Sequence, residues 1–600
     1  MKKKLFRLLS TCVLIILMMP ALAQLTPAFK PEQINSVRTT NLVRKYLTPV
    51  RIVWTSDNNS STQVKNKESI LKPGNGQCVM ELKKGTYLTL VSDDKSKPGI
   101  ILDFGREIQG GLFFVTTLYD QEGTVRLRFG ESVAETCAEP AVKRKDGFVY
   151  GTSKGNSVRD CEVTLPSTGS YETGQTAFRF VRIDLVTPNT KLEIAEVSAA
   201  FVYRDVPYLG SFKCNDERLN DIWMTGAHTV HLCMQDYLIE GAKRDRLVWA
   251  GDMYPEVKVI NSVFGYNEVV PKSLDLSRDN TPLPGYMNTG YSGCSMSWIW
   301  IHLDWYMHHG DLEYLKQQKD YLAGLLRLLA SEIDPNGKEI LKGTRHTDWN
   351  NADDPVAQHE WLQASMVITF EKGRELSKIL NDKETELLCI QTVEKLKRHV
   401  PDMGGTKQGA AMLAISGLVP PEKANSEILA KGRVQGLSVL SAPFIAQARV
   451  MAGDFQGALD NIREYYGGML DLGATTFWEN FHIEWMKNAA RIDEMVPEGK
   501  VDVHGDLGEG CYVSYRHSLC HGWGGGVTAW LTEYVLGVKV VESGCKTIKL
   551  EPHLGDLEWV EGTFPTPKGV LEIKHIKGAD GKIITTYKAP KGIKVIMDNR

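Results

Sequence analysis

The sequence predicts a multidomain protein of mixed α and β structure. An N-terminal β-sandwich precedes a central helical domain whose segment count suits an (α/α)6 six-hairpin barrel, and a small C-terminal β-domain follows. Three observations carry this. Between residues 76 and 210, short runs rich in β-branched and aromatic residues are broken by Gly and Asp, with no strong helical period among them. From 211 to 537 apolar residues recur every three to four positions. After Gly537 strand-like runs return. At 600 residues the chain exceeds what one hydrophobic core organises.

Residues 1–23 read as an export signal. Met1 to Arg7 is basic, Leu8 to Met19 is apolar but too short to span a bilayer, and Ala21-Leu22-Ala23 is a small-x-small cleavage site. The protein is therefore expected in a periplasm or outside the cell, with no membrane span. Residues 24–75 are expected to be irregular, given Pro27, Pro31 and a polar run at 56–62. Strands are expected at 87–91, 99–104, 111–117, 124–129 and 178–186, a spacing that suggests a β-sandwich.

Near residue 215 the period changes. Asn215 or Asp216 can cap a helix in which Leu219, Ile222, Trp223, Gly226, Val230 and Met234 share one face. Amphipathic segments recur at 298–308, 312–329, 360–379, 384–398, 438–452, 455–466 and 521–536. With weaker stretches included, about a dozen helices of ordinary length fit before residue 537. That number suits six hairpins closed into a barrel, although periodicity leaves a plain helical array open. Strands are then expected at 547–550, 569–573 and 582–587, within a C-terminal domain at 538–600.

Hydrophobic residues at 42%, charged residues at 24% and a net charge of -3 describe an ordinary globular surface. Such a mixed surface makes no case for nucleic acid or an anionic membrane. The thirteen Trp and twenty-one Tyr offer flat faces that stack on sugar rings. Of eleven cysteines, Cys12 lies in the leader, and the others form no C-x-x-C. A zinc ribbon or redox pair is therefore not expected, and most are expected to be buried thiols.

The chain also lacks H-E-x-x-H, a P-loop and a G-x-S-x-G elbow. Gly522-Trp-Gly-Gly-Gly526 has the wrong spacing for a dinucleotide loop. His308-His309, at the end of a predicted helix, is read as a partner of the helix dipole rather than a metal site. What remains is a set of carboxylates beside aromatics. Glu240 to Asp252 packs Lys243, Arg244, Asp245 and Arg246 against Leu247, Val248 and Trp249. Charges drawn in beside such residues are either paired or used. Trp478-Glu479, Asp348-Trp349 and His521 with Trp523 repeat the theme, with Glu484 a lesser acid. Two carboxylates facing one pocket are what glycoside hydrolysis requires.

These residues also carry a family resemblance. Lys-Arg-Asp-Arg-Leu-Val-Trp-Ala-Gly-Asp at 243–252 resembles the signature of the family 78 α-L-rhamnosidases, Gly473 to Glu479 resembles their Gly-Ala-Thr-Thr-x-Trp-Glu motif, and Ser518 to His521 their Ser-Leu-x-His. Asp103-Phe-Gly105, Leu127 to Glu131, Phe178-Arg-Phe180 and Thr566-Pro-x-Gly569 are similar to landmarks of the flanking β-domains.

The resemblance implies an exo-acting, inverting hydrolase that releases terminal α-L-rhamnose from an oligosaccharide or polysaccharide without a cofactor or metal. It places Asp245 as general acid and Glu479 as general base. Glu240, Arg244, Trp249, Asp252, Asp348, Trp349, Trp478 and His521 fall at sugar-binding positions. Two positions depart from the pattern: the family's acid is commonly Glu and its first carboxylate commonly Asp, whereas this chain has Asp245 and Glu240. The alternatives are a six-hairpin hydrolase for another α-linked sugar and a carbohydrate-binding relative without turnover.

Overall fold

The computed structural model describes residues 40–58, 62–78, 86–117, 122–138, 141–143, 149–151, 159–348, 351–508 and 512–597. The export signal expected at 1–23 and Trp349 lie outside them. No helix among the described residues is long and apolar enough to cross a membrane.

The N-terminal third is a ten-stranded sheet. Its spine is the strand β1, Gly99–Thr116, which merges the two shorter strands expected there. One half of β1 pairs with Arg51–Thr55 and Thr176–Leu185, the other with Gly169–Glu172 and Lys191–Arg204. Gly110, at φ 158°, lies where β1 meets Lys191–Arg204, and a Cβ there would collide with the Ala200 carbonyl. The core of this sheet is Leu, Ile, Val and Phe, among them Leu102, Phe114, Phe129 and Phe178.

The expectation that residues 24–75 are irregular is corrected in part. Leu42–Leu47, Arg51–Thr55 and Gln63–Lys65 are strands of this sheet. Arg51-Ile-Val-Trp-Thr55 has the β-branched and aromatic bias of a strand, which outweighs the neighbouring polar run.

The helical region starts with α1, Glu217–Cys233, capped by the Asp216 carboxylate, which accepts from the Arg218 amide at 2.9 Å. Six segments then pack in a ring: α2 (Ala250–Val263) on α3 (Ser292–His309), α3 on α4 (Pro355–Ile379), α4 on α5 (Lys407–Ile415), α5 on α6 (Ala442–Met451), and α6 on α7 (Gly526–Trp530). The ring returns on itself because α7 packs against α2. Further helices, among them Lys383–Leu396 and Phe455–Asp471, lie against its members and against α1.

The segment before α7 is Gly522-Trp-Gly-Gly-Gly526. A Cβ on Gly525 would meet the Gly226 carbonyl oxygen at 2.7 Å, so these glycines serve close helix packing against α1. At the end of α3, His308 is buried and its pKa is pushed down to about 3. A neutral imidazole brings no charge to the helix dipole, so the dipole role read from the sequence fails.

The C-terminal strands form a four-stranded and a three-stranded sheet. Ser211–Cys214, just before α1, pairs with Trp559–Thr566 in the first of these. Their apolar faces, including Ile548, Val560, Phe564 and Leu571, share one core with the helices.

Candidate active site

Three separated stretches are stitched together at one end of the ring by backbone hydrogen bonds. The Gly522 amide donates to the Glu240 carbonyl at 2.6 Å, Ala242 to Cys520 at 3.2 Å, His521 to Phe477 at 3.0 Å, and Glu479 to Ser518 at 2.9 Å. The acidic residues of the signature and of the Trp-Glu motif therefore face one cavity. Its empty space is about 1150 Å³, part of it open to solvent.

Glu240, Arg244, Asp245, Trp249, Asp252, Glu479 and His521 all line this cavity. One guanidinium joins both expected catalytic carboxylates: Arg244 Nη1 donates to Asp245 Oδ2 and Nη2 to Glu479 Oε1. Arg244 Nε donates to the Arg516 carbonyl at 2.8 Å, which fixes the plane of the fork. Asp245 and Arg246 are both left-handed, at φ 56° and 54°. For residues with a Cβ this costs about 1–2 kcal/mol each, and such strain persists only where surrounding contacts over-determine it. One such contact is local: Glu240 Oε2 accepts from the Leu247 amide at 2.7 Å and closes the loop.

Burial shifts the ionisation of several groups in the cavity. Asp252, in the first turn of α2, has its pKa pushed up to about 8 by burial and by the Glu479 charge. Burial also raises Glu240 well above the usual carboxylate range, with Asp252 and Asp245 adding to it. Glu256, one turn beyond Asp252 and behind the lining, is fully buried and raised by burial, with Asp252 and Glu240 adding to it. His521 is held well below its ordinary value by burial and by Arg244. Its Nε2 lies 3.9 Å from both Asp252 Oδ1 and Glu479 Oε1. Burial thus biases Asp252 and Glu240 toward the protonated form and His521 toward the neutral form, groups that can both donate and accept hydrogen bonds.

Two residues expected at the sugar do not line the cavity. Trp478 is fully buried and packs edge-on against Phe481 and His517. Asp348 is buried and accepts from the Ser438 hydroxyl, while its neighbour Thr347 lines the cavity instead. Glu484 sits on the exposed face of a short 3-10 turn, paired with Lys487. Sequence reasoning missed the aromatic wall of Tyr254, Tyr291, Trp300, Trp361 and Phe444. Trp523 was noted only as a neighbour of His521; its indole donates to the Glu479 carbonyl at 3.0 Å and its ring lies 4.2 Å from that of His521.

Comparison with known proteins finds the same fold elsewhere. Residues 207–397 match the family model described as the bacterial alpha-L-rhamnosidase six-hairpin glycosidase domain. The family 78 rhamnosidase of Bacillus sp. GL1 superposes with a TM-score of 0.70 at 21% identity, over 86% of this chain and 55% of that one. The α-L-rhamnosidase of Aspergillus terreus gives 0.65 at 18%, over 85% and 62%. A rhamnosidase from Klebsiella oxytoca with rhamnose bound gives 0.59 at 17%, over 82% and 95%. The chain thus spans about half the length of the Bacillus structure. The comparison with curated proteins finds no match. Residues 207–397 therefore match a domain described as a bacterial six-hairpin glycosidase, and the chain shares its fold with the family 78 rhamnosidase structures.

Proposed function

We propose that the protein is an exported, exo-acting, inverting glycoside hydrolase that releases terminal α-L-rhamnose, with its six-segment ring acting as an (α/α)6 barrel. Asp245 serves as general acid and Glu479 as general base, while Glu240, Asp252, Trp249 and His521 hold the sugar. The observation that carries this is the pair of carboxylates bridged by Arg244 across a concave, aromatic-walled cavity. Both carboxylates accept from the one Arg244 guanidinium and so face the same cavity, and an inverting mechanism needs the two carboxyl groups roughly 6.5–9.5 Å apart to admit its water. Export rests on the leader, and the sugar on the likeness to rhamnosidase structures.

In the reaction, the Asp245 proton passes to the glycosidic oxygen as the bond to the anomeric carbon breaks. Glu479 takes a proton from the water that attacks the opposite face. Asp245 faces the mouth with a partly exposed side chain, whereas Glu479 is buried. This difference in exposure supports Asp245 as the acid that meets the leaving group and Glu479 as the deeper base.

The test is a panel of aryl glycosides, with the anomeric configuration of the first-formed product followed by NMR. Release from the α-L-rhamnoside with inversion is expected, and Asp245→Asn and Glu479→Gln should each lower kcat by at least about 10³-fold while folding is kept. Retained activity in both variants would remove the mechanism. The short acid Asp245 opposite the long Glu240 favours a second reading, a hydrolase for another α-linked sugar. Preference for a different glycoside in the same panel would establish it.

A further inference from the structure

A second cluster of charges lies beneath the site, at the seam between the ten-stranded sheet and the ring. Its residues are Glu131, Glu135, Lys243 and His504, all buried. Glu131 follows the strand Gly123–Gly130, and Glu135 stands on the short helix Val133–Cys137 capped by Ser132. The Glu131 amide donates to Glu135 Oε2 at 2.8 Å, which ties the two acids to each other. The carboxylates and His504 are close enough to hold a metal ion, their ligand atoms lying within 4.8 Å of one another. The Lys243 ammonium takes the cationic place instead. It lies 2.8 Å from Glu131 Oε2, 3.3 Å from Glu135 Oε1 and 3.4 Å from His504 Nε2, and donates to the Tyr515 and His517 carbonyls at 3.0 and 2.9 Å.

Each side of this cluster runs into one half of the active site. Lys243 stands just ahead of Asp245 and Arg246, whose left-handed backbone needs fixed contacts to persist. Glu131 Oε2 also accepts from the Leu519 amide at 2.6 Å, and its Oε1 from the Ser518 hydroxyl at 3.4 Å. The Ser518 amide in turn donates to Glu479 Oε2 at 3.3 Å, and the Ser518 carbonyl accepts from the Glu479 amide. A single carboxylate of the β-domain thus grips the Asp245 loop through Lys243 and the Glu479 loop through Ser518-Leu519.

We propose that Glu131 and Lys243 are positioning residues that set the separation of Asp245 and Glu479 from the β-domain, so that the N-terminal sheet is part of the hydrolytic machinery. The inference rests on the hydrolase reading above. A buried cation with five polar contacts has no freedom to drift, and a cavity whose two carboxylates sit on separate loops needs a common anchor to hold their spacing.

The experiment uses the full chain with Lys243→Met, Glu131→Gln and, as a comparison, Arg126→Met. Arg126 pairs with Asp160 at 2.7 Å on the same sheet. Steady-state hydrolysis, thermal unfolding and hydrogen exchange by mass spectrometry are read together. The two anchor variants are expected to lose at least about 100-fold in kcat with KM within about threefold, the scale of a misplaced reacting group. Their amides at 241–247 and 518–521 should exchange faster, while those of β1 stay as in the parent. Arg126→Met should keep its kcat even if its melting temperature falls as far. The proposal is overturned if the anchor variants keep kcat within about twofold, or if both segments keep parental protection. An inactive parent chain whose segments nonetheless loosen in the variants would sink the hydrolase reading and leave the anchor standing.

Discussion

Arg244 and Glu479 stand 235 residues apart in the chain and meet in a buried ion pair at the cavity floor. The same guanidinium holds Asp245, so each carboxylate is placed by a cation that the other also uses. Arg244→Met should leave two carboxylates facing one another without their shared partner. Breaking a buried pair from one side costs about 3–5 kcal/mol, and loss of the fork should lower kcat/KM by at least about 10²-fold. Arg244→Lys should recover little, because a point charge cannot span both acids in a fixed plane. Full rescue by lysine in steady-state assays would show that charge alone matters.

Asp252 gives the fold a pH dependence of known sign. Its pKa rises from the ordinary 3.8 to about 8 on folding, so between these values the folded state binds a proton that the unfolded chain has lost. This contribution to stability is complete below the unfolded value and is lost as pH rises toward 8. Asp252→Asn keeps a neutral group of the same size. Denaturant unfolding should show that this variant loses less stability than the parent between pH 5 and pH 8, by a few kcal/mol on the order set by such a shift. Parallel pH curves for the two proteins would exclude the assignment.

What the sequence made legible, and what it hid, follows from how far apart the partners lie. The contiguous signature from Glu240 to Asp252 delivers four carboxylate or cationic groups to one cavity, and Glu479 with His521 was found through short motifs. The pairing of Glu131 with Lys243, or of Ser132 with His504 across 372 residues, leaves no local trace. The aromatic wall was equally hidden, because Tyr254, Trp300 and Phe444 come from three different helices. An inward helix position reads the same whether it faces core or cavity. Trp478 and Asp348 are sugar-binding positions only by the resemblance, and the structure turns both away from the cavity. Glu479 lines the cavity while its neighbour Trp478 is fully buried against Phe481 and His517.

That geometry separates two tryptophans kinetically. Trp478→Phe should leave KM for the preferred glycoside within about twofold, since the ring makes only interior contacts. Trp300→Ala opens the aromatic wall of the cavity and, if the hydrolase reading holds, should raise KM by about tenfold. A raised KM for Trp478→Phe with kcat unchanged would place that indole at the substrate after all.

Glu240 and Asp245 differ in length by one methylene each from the pattern their positions resemble, and in opposite directions. The Glu240 carboxyl closes the loop by accepting from Leu247, while Asp245 sits on the strained turn of that same loop. Shortening Glu240 to Asp withdraws its carboxyl from the Leu247 amide, and lengthening Asp245 to Glu pushes the acid past Arg244. Each single change should lower kcat/KM by about tenfold or more, the effect of moving a reacting group by an ångström. The reciprocal double variant, Glu240→Asp with Asp245→Glu, restores the summed reach of the pair. It should therefore fall well short of the product of the two losses, with a coupling of at least about 1 kcal/mol in a double-mutant cycle. Strict additivity in the α-L-rhamnoside assay would mean that the two carboxylates act independently, and that the exchange of lengths is not a compensation.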